Sequence, residues 1–355
     1  MSEKKLFWVT FRKNKSAFFS LCIILFMFLF SIFAYLYIPD NSPNANQQFQ
    51  TISLSKPGFK AQILGLPRKG KKTSQNILQK LVHGKKEAID YYVYEELAKD
   101  ESTVSITNYY GRTQIIPFED TQNLEKYTST KTFLLGTDKF GRDIFSRIIL
   151  GIRVSMLVGL VAVIISLIMG ILMGALAGFL GGIWDQLIML ILNVNWSIPT
   201  ILMVFAIVLA FDRGLIVIFI AVGLTMWVEL ARIVRGQVML LKNEQFVMAA
   251  KNMGMGVPKI LFVHILPNIM GPVLVMAAAN FSTAVLVEAG LSFIGFGVEP
   301  PTPSIGNMLN EHYGYAMTGK LFLAVVPAIT LMILVLSFNL VGAGLRDAFD
   351  VKKSN

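Results

Sequence analysis

The side chains that could do chemistry in this chain are few, and their spacing excludes most chemistries. The single cysteine, Cys22, lies in an apolar run, which rules out an internal disulfide framework and a multi-cysteine metal site. His83, His264 and His312 are scattered without ligand spacing, so no metal is expected. No G-x-x-x-x-G-K-[ST] loop occurs, so the chain is expected to bind no nucleotide of its own. No G-x-S-x-G elbow, triad or intramembrane acid pair points to a hydrolase. What remains are polar residues inside or beside apolar stretches, where they are costly and therefore functional candidates.

Glu288 closes a long apolar run. Its carboxylate is placed either to meet a solute ammonium at an outer mouth or to sit at headgroup level. Asn193, Asn195 and Trp196 lie in "NVNWSIPT" (193–200), where they either line a pathway or pack between subunits. Pro199 is expected to kink that helix. Gly136, Asp138, Gly141, Arg142 and Asp143, in "LLGTDKFGRD", can build a turn and helix cap on an outer face, with Thr137 or Asp138 accepting backbone N–H groups. The longest polar interruption is "EQFVMAAKNMGMGVPKILFVHILPN" (244–268). Read as a helix, its Phe246, Val247, Ala250, Met253 and Gly254 approximate one face. Ala249 and Ala250 are small enough to let another surface approach the backbone. Gly254 is a helix stop, Pro258 suits the first turn of a second helix, and Pro267 and Pro272 bracket the entry to the next apolar run. The segment 243–268 thus reads as a helix–turn–helix elbow that can carry a push from a soluble partner into a membrane.

The elements that position these residues are membrane spans. The composition is 54% hydrophobic and 15% charged, against about 25% charged in an ordinary soluble domain. Six apolar segments can each supply about 20 helical residues: 17–38, 154–184, 186–211, 214–228 extended past Glu229 toward Arg232, 260–287 with its helix starting near 269, and 321–345. The first is read as a retained helix rather than a cleaved signal, because it is too long and ends in tyrosines. The net charge of +10 is assigned to basic loops against lipid headgroups, not to nucleic acid. Lys and Arg concentrate in the N-terminal tail, between the fourth and fifth spans, and after the sixth, which places both termini in the cytoplasm. Lys139, Arg142, Arg147 and Arg153 conflict with that topology and are expected on a basic amphipathic helix at the outer surface. Residues 40–131 are polar and form an extracytoplasmic α+β insertion. Within it, "SQNILQKLVHGKKEAIDYYVYEEL" reads as a helix ended by Gly84 and restarted, and "STVSITNYYGRTQIIPF" as a hairpin turning near Gly111. The domains are therefore 1–39, the tail and first span; 40–131, the insertion; 132–350, a core of five spans carrying the elbow; and 351–355, a cytoplasmic tail.

Four ordered stretches carry a family resemblance. "AAKNMG" (249–254), followed by Pro267, resembles the cytoplasmic coupling motif of ABC-importer permeases. "LLGTDKFGRDIFSRIILGIRVSMLVG" (134–159), "EAGLSFIGFGVEPPTPSIGNML" (288–309) and "NLVGAGLRDAFD" (339–350) resemble segments of dipeptide, oligopeptide and nickel permeases. The resemblance implies an all-α polytopic membrane protein with the six-helix type I importer architecture. It also implies a C-type subunit in a bacterial cytoplasmic membrane, paired with a homologous B-type permease. Two cytoplasmic ATPases using ATP and Mg would drive the pair, and an extracytoplasmic binding protein would deliver peptide or a related solute. Glu244, Met248, Ala249, Ala250, Gly254 and Pro267 would form the ATPase-coupling site. Met248 stands where the family motif usually has Glu, and Glu244 is expected to supply the polar contact instead. The insertion at 40–131 is longer than the family's usual connection. One rival, a proton-coupled carrier, is disfavoured by nearly uncharged span centres and by the elbow; another, a non-transporting scaffold or sensor, is one that the outer insertion alone would allow.

Overall fold

The computed structural model describes residues 3–68, 75–86, 89–100, 102–118, 120–211 and 214–353; readings that touch 69–74, 87–88 or 354–355 lie outside the described residues. The helices are α1 (Glu3–Lys13), α2 (Lys15–Ile32), α3 (Ile77–His83), α4 (Ile144–Leu180), α5 (Gly182–Trp196), α6 (Thr200–Ala210), α7 (Leu215–Leu241), α8 (Gln245–Asn252), α9 (Val257–Lys259), α10 (Leu266–Ile294), α11 (Ile305–His312) and α12 (Phe322–Lys353). The strands are β1 (Phe59–Pro67), β2 (Ile89–Tyr94), β3 (Glu96–Lys99), β4 (Thr103–Thr107), β5 (Thr113–Pro117) and β6 (Thr128–Phe133). Among the described residues, five helical stretches are long and apolar enough to cross a bilayer: α2, α4, α7, the run Val257–Ile294, and Phe322–Asp350 of α12. The pair α5 and α6 makes a sixth if counted as one broken span. By contacts the chain divides into two units, one of residues 1–28, 154–299 and 329–355, the other of 29–153 and 300–328.

In the first unit the third span departs from expectation. A single kinked helix over 186–211 is replaced by two helices at 88°. Proline has no N–H to give and its ring excludes the carbonyl four residues back; Ile198, before it, is pushed out of helical conformation. Pro199 is extended (φ −54°, ψ 129°) and starts α6 afresh. The fifth span also differs. Helix does not wait for residue 269 but runs from Val257 through one π-helical stretch, Ile260–Ile265, into α10. The widened turn just before Pro267 accommodates the N–H that proline lacks, and the Asn268 side-chain amide donates to the His264 carbonyl at 2.6 Å.

Close packing of α4 on α7 organises this unit. Gly170, Gly174 and Gly178 recur every fourth residue and face Leu230, the Ala231–Val234 turn, and the Arg235–Val238 turn. A Cβ on Gly174 would lie 2.4 Å from the Ala231 carbonyl oxygen, so the backbones touch where side chains would normally separate them. Around the seam, Val158 and Ala162 of α4, Ile218 and Val222 of α7, Val204 of α6 and Leu291 of α10 form one buried cluster.

The second unit contains two three-stranded antiparallel sheets, ordered β2-β1-β6 and β3-β4-β5. The helix ending at Gly84 is present as α3, but its expected restart is strand instead. Tyr91, Tyr92, Val93 and Tyr94 form an aromatic and β-branched run that fits a pleated surface, and it pairs with β1 in the register Leu64↔Tyr92. The β4–β5 hairpin forms as read. The Asn108 side chain accepts N–H bonds from Tyr110 and Arg112 (2.9 and 3.1 Å), which closes the turn at Gly111.

Candidate functional site

The elbow begins at Glu244, whose extended backbone (φ −69°, ψ 149°) N-caps α8 through its carbonyl, with no bond from its side chain. It ends as expected at Gly254 (φ +78°). The Gly254 N–H reaches the Lys251 carbonyl (2.9 Å) and the Met255 N–H the Ala250 carbonyl (3.1 Å), the paired bonds of a Schellman stop. One side of α8 is buried in the chain itself. Val247 and Ala250 pack with Ala175 and Phe179 of α4, Val234 and Val238 of α7, and Ile265 and Ile269. Lys251 lies over the Phe179 ring at 5.1 Å. Ala250 therefore serves internal packing, and its smallness admits α8 to the ends of the spans. The single face read from the sequence divides in two: Phe246 and Met253 are 40% and 69% exposed. With exposed Ala249 they form a second, outward apolar stripe at i, i+3 and i+7. Glu244, Met248, Gly254 and Pro267 are exposed as well.

The break between α5 and α6 opens a cavity of about 200 Å³ lined by Asn195, Trp196, Pro199, Thr225, Glu229, Asn280 and Thr283, among others. The structure thus brings Asn195 and Trp196 together. Asn193 sits beside them and accepts from Arg232 at 2.9 Å, while the Arg232 guanidinium stacks 4.2 Å from the Trp196 ring. One turn on, Arg235 grips Asp185 with two bonds of 2.5 and 2.7 Å. Glu288 is not part of this cavity. It is fully buried and accepts from Ser155 and Ser292, both at 2.8 Å, so in this chain it ties α4 to α10 rather than facing an open mouth. Glu229, Asn280 and Thr283 were not singled out by sequence reasoning. A lone acid in the apolar run of α7 was the available signal.

Gly136, Asp138, Gly141, Arg142 and Asp143 come together in the second unit as a turn and helix cap, and Arg142 and Arg147, expected on a basic amphipathic surface helix, are instead buried in ion pairs. Asp138 accepts N–H bonds from Phe140 and Arg142 (2.8 and 2.9 Å) and pairs with the Arg142 guanidinium at 2.6 Å. Arg142 extends to Glu311 at 2.6 Å, and Arg147 lies 3.8 and 3.9 Å from the same two acids. Asp138, Arg142, Arg147 and His312 are all at most 3% exposed. Two acids thus balance two guanidiniums, and burial, the first cause, brings His312 down to about 4. The carboxylates and His312 lie close enough together to suggest a cation site, but two guanidiniums already occupy that role. Asp143 is the N-cap of α4, accepting from the Ser146 N–H at 3.0 Å, with its carboxyl raised by burial. Thr137 accepts from the Ser55 N–H at 2.9 Å. Gly136 and Gly141 have φ of +78° and +73°, and a Cβ on Gly141 would lie 1.9 Å from the Phe49 carbonyl oxygen.

Comparison with known proteins bears on these three sites. Residues 170–355 match the binding-protein-dependent transport system inner membrane component family, and residues 2–57 match the N-terminal TM domain of oligopeptide transport permease C. The chain is 40% identical to the oligopeptide transport system permease protein OppC of Bacillus subtilis, over 63% of this chain and 73% of that one. It is 43% identical to the glutathione transport system permease protein GsiD of Shigella flexneri (61% and 71%) and 37% identical to the dipeptide transport system permease protein DppC of Haemophilus influenzae (62% and 74%).

Proposed function

We propose a specific role for this chain within the family to which it belongs, the binding-protein-dependent transport system inner membrane components. It is one permease half of an ATP-driven importer of di- or oligopeptides, working beside a homologous permease. An extracytoplasmic binding protein delivers the solute. Two cytoplasmic ATPase subunits bind ATP and Mg and drive the cycle; this chain binds neither. Both termini and the elbow are cytoplasmic, and residues 40–131 are outside.

The observation that carries the reading is the construction of α8. Its buried edge, Val247 and Ala250, is packed against the ends of α4 and α7 and the start of the fifth span, so a push on α8 moves three spans together. Its outward stripe, Phe246, Ala249 and Met253, is apolar and uncovered. An exposed apolar stripe beside basic Lys251 and Lys259 fits a soluble partner's groove. Burial of Arg142 and Arg147 in ion pairs supports the orientation, because two of the four charges that opposed it are neutralised within the protein.

A disulfide test addresses the contact. In a Cys22→Ser background, Ala249→Cys is expected to cross-link to a cysteine in the ATPase surface groove, and nucleotide is expected to change the yield. Cross-linking to lipid-facing or extracytoplasmic probes only would refute the placement.

A further inference from the structure

We propose that the cavity at the break between α5 and α6 is a solute-contact site, and that the Glu229 carboxylate receives a primary ammonium, the free amino terminus of a peptide. This rests on the transport reading above and names the group recognised.

The argument is one of donors and acceptors. Glu229 lies well inside α7, an apolar helix long enough to span, where an ionisable residue without a partner marks function. It is exposed and makes no hydrogen bond or ion pair among the described residues. The two cations nearest along its helix are committed elsewhere: Arg232 to Asn193 and the Trp196 ring, Arg235 to Asp185. Arg232, three residues on, is within ordinary helical pairing distance of Glu229, yet its guanidinium goes to the α5 side.

Three of the polar groups lining the cavity beside Glu229 have used their donors. The Thr225 hydroxyl donates to the Val222 carbonyl (2.9 Å) and the Thr283 hydroxyl to the Ala279 carbonyl (3.1 Å). The Asn280 amide NH₂ donates to Ser166 Oγ (3.0 Å) and to the Met226 carbonyl (3.3 Å). Each keeps only acceptor lone pairs for an occupant. Together with one carboxylate, they make the Glu229 side of the lining acceptor-rich and negative. A primary ammonium is its complement, with three donors, no acceptor and one positive charge. A solute carboxylate would meet no uncommitted cation beside Glu229, while the Asn195 amide, Trp196 indole and Thr200 hydroxyl on the α5–α6 side offer donors to a peptide's carbonyl groups.

The test uses the whole transporter, with this chain and its companion subunits in cells, and labelled trialanine as the probe. Glu229→Gln keeps the shape and removes the charge. It is expected to raise the KM for trialanine at least tenfold while membrane level and ATP turnover stay at wild-type values. Glu229→Asp should remain within about threefold of wild type. Uptake of N-acetyl-trialanine, which lacks the ammonium, should be unchanged by either. Glu229→Gln uptake within twofold of wild type would overturn the assignment, as would parallel loss of uptake and ATP turnover, which marks a structural role. Failure of the wild-type system to import trialanine with ATP would remove the transport reading itself, and the named solute with it.

Discussion

Replacing Arg142 by Ala is the most direct probe of the buried charge cluster. Arg142 makes two pairs of 2.6 Å, with Asp138 and with Glu311, and is 3% exposed. Its removal leaves Asp138, fully buried, with its backbone donors and with Arg147 at 3.8 Å, too far for a full hydrogen bond. Breaking a buried pair from one side costs about 3–5 kcal/mol, because the surviving charge stays desolvated. Arg147 offsets part of this, so about 3 kcal/mol is the reasonable figure. For a unit of this size that corresponds to a fall of roughly 6–12 °C in its unfolding midpoint. The assay is thermal unfolding of the purified full chain in detergent, followed through accessibility of a reporter cysteine at Ala61, in the buried sheet of the same unit. The double change Arg142→Met with Glu311→Met, which removes a balanced pair, should lose less than Arg142→Ala alone. Salt should change neither result much, since buried pairs are poorly screened. A midpoint within about 2 °C of wild type for Arg142→Ala would refute the view that these arginines are internally neutralised.

Four further outcomes are expected. His312, held at about 4 by burial, binds its proton more readily in the unfolded chain, so stability is full above about pH 6.5 and falls as pH drops toward 4, by about 3 kcal/mol in all; His312→Phe should flatten that slope in acid unfolding. Gly174→Val should force α4 from α7 and cost at least about 2 kcal/mol or abolish folded yield, whereas Gly236→Ala, with nothing within 4 Å of the new Cβ, should be silent in the same thermal scan. Glu288→Gln should retain uptake, since its amide oxygen can accept from one of Ser155 and Ser292 and its NH₂ can donate to the other hydroxyl, while Glu288→Leu should lower folded yield. Gly141→Ala should prevent the turn at 136–143, read as loss of protease resistance of the second unit, because its Cβ would overlap the Phe49 carbonyl.

The apolar segments were legible because spans are long and a bilayer demands their length. The elbow was legible because Gly254 and Pro258 mark its ends by backbone chemistry alone. What local sequence could not show were distances across the fold. Arg142 and Glu311 are 169 residues apart, so basic residues that pair internally looked like a surface charge run. Pro199 announced an interruption but not its 88° angle. Ala249 and Ala250 are indistinguishable as letters, yet one faces outward and the other fills the chain's own core. The stretch after Gly84 mixes good helix formers with aromatic and β-branched residues, and pairing of Ile89–Tyr94 with β1 decides for strand there. The glycine stripe of α4, Gly170, Gly174 and Gly178, was not singled out from the sequence, because what makes it matter is the α7 backbone it meets.

The central claim, that α8 is where a soluble ATPase drives this permease, is tested most directly by peptide uptake with Ala249→Arg. The arginine is set into an exposed stripe, so the chain itself should fold and reach the membrane at wild-type level. The account predicts that ATP-dependent trialanine uptake falls at least tenfold and that ATPase subunits no longer co-purify. Wild-type uptake by Ala249→Arg, with the ATPases still bound, would contradict it.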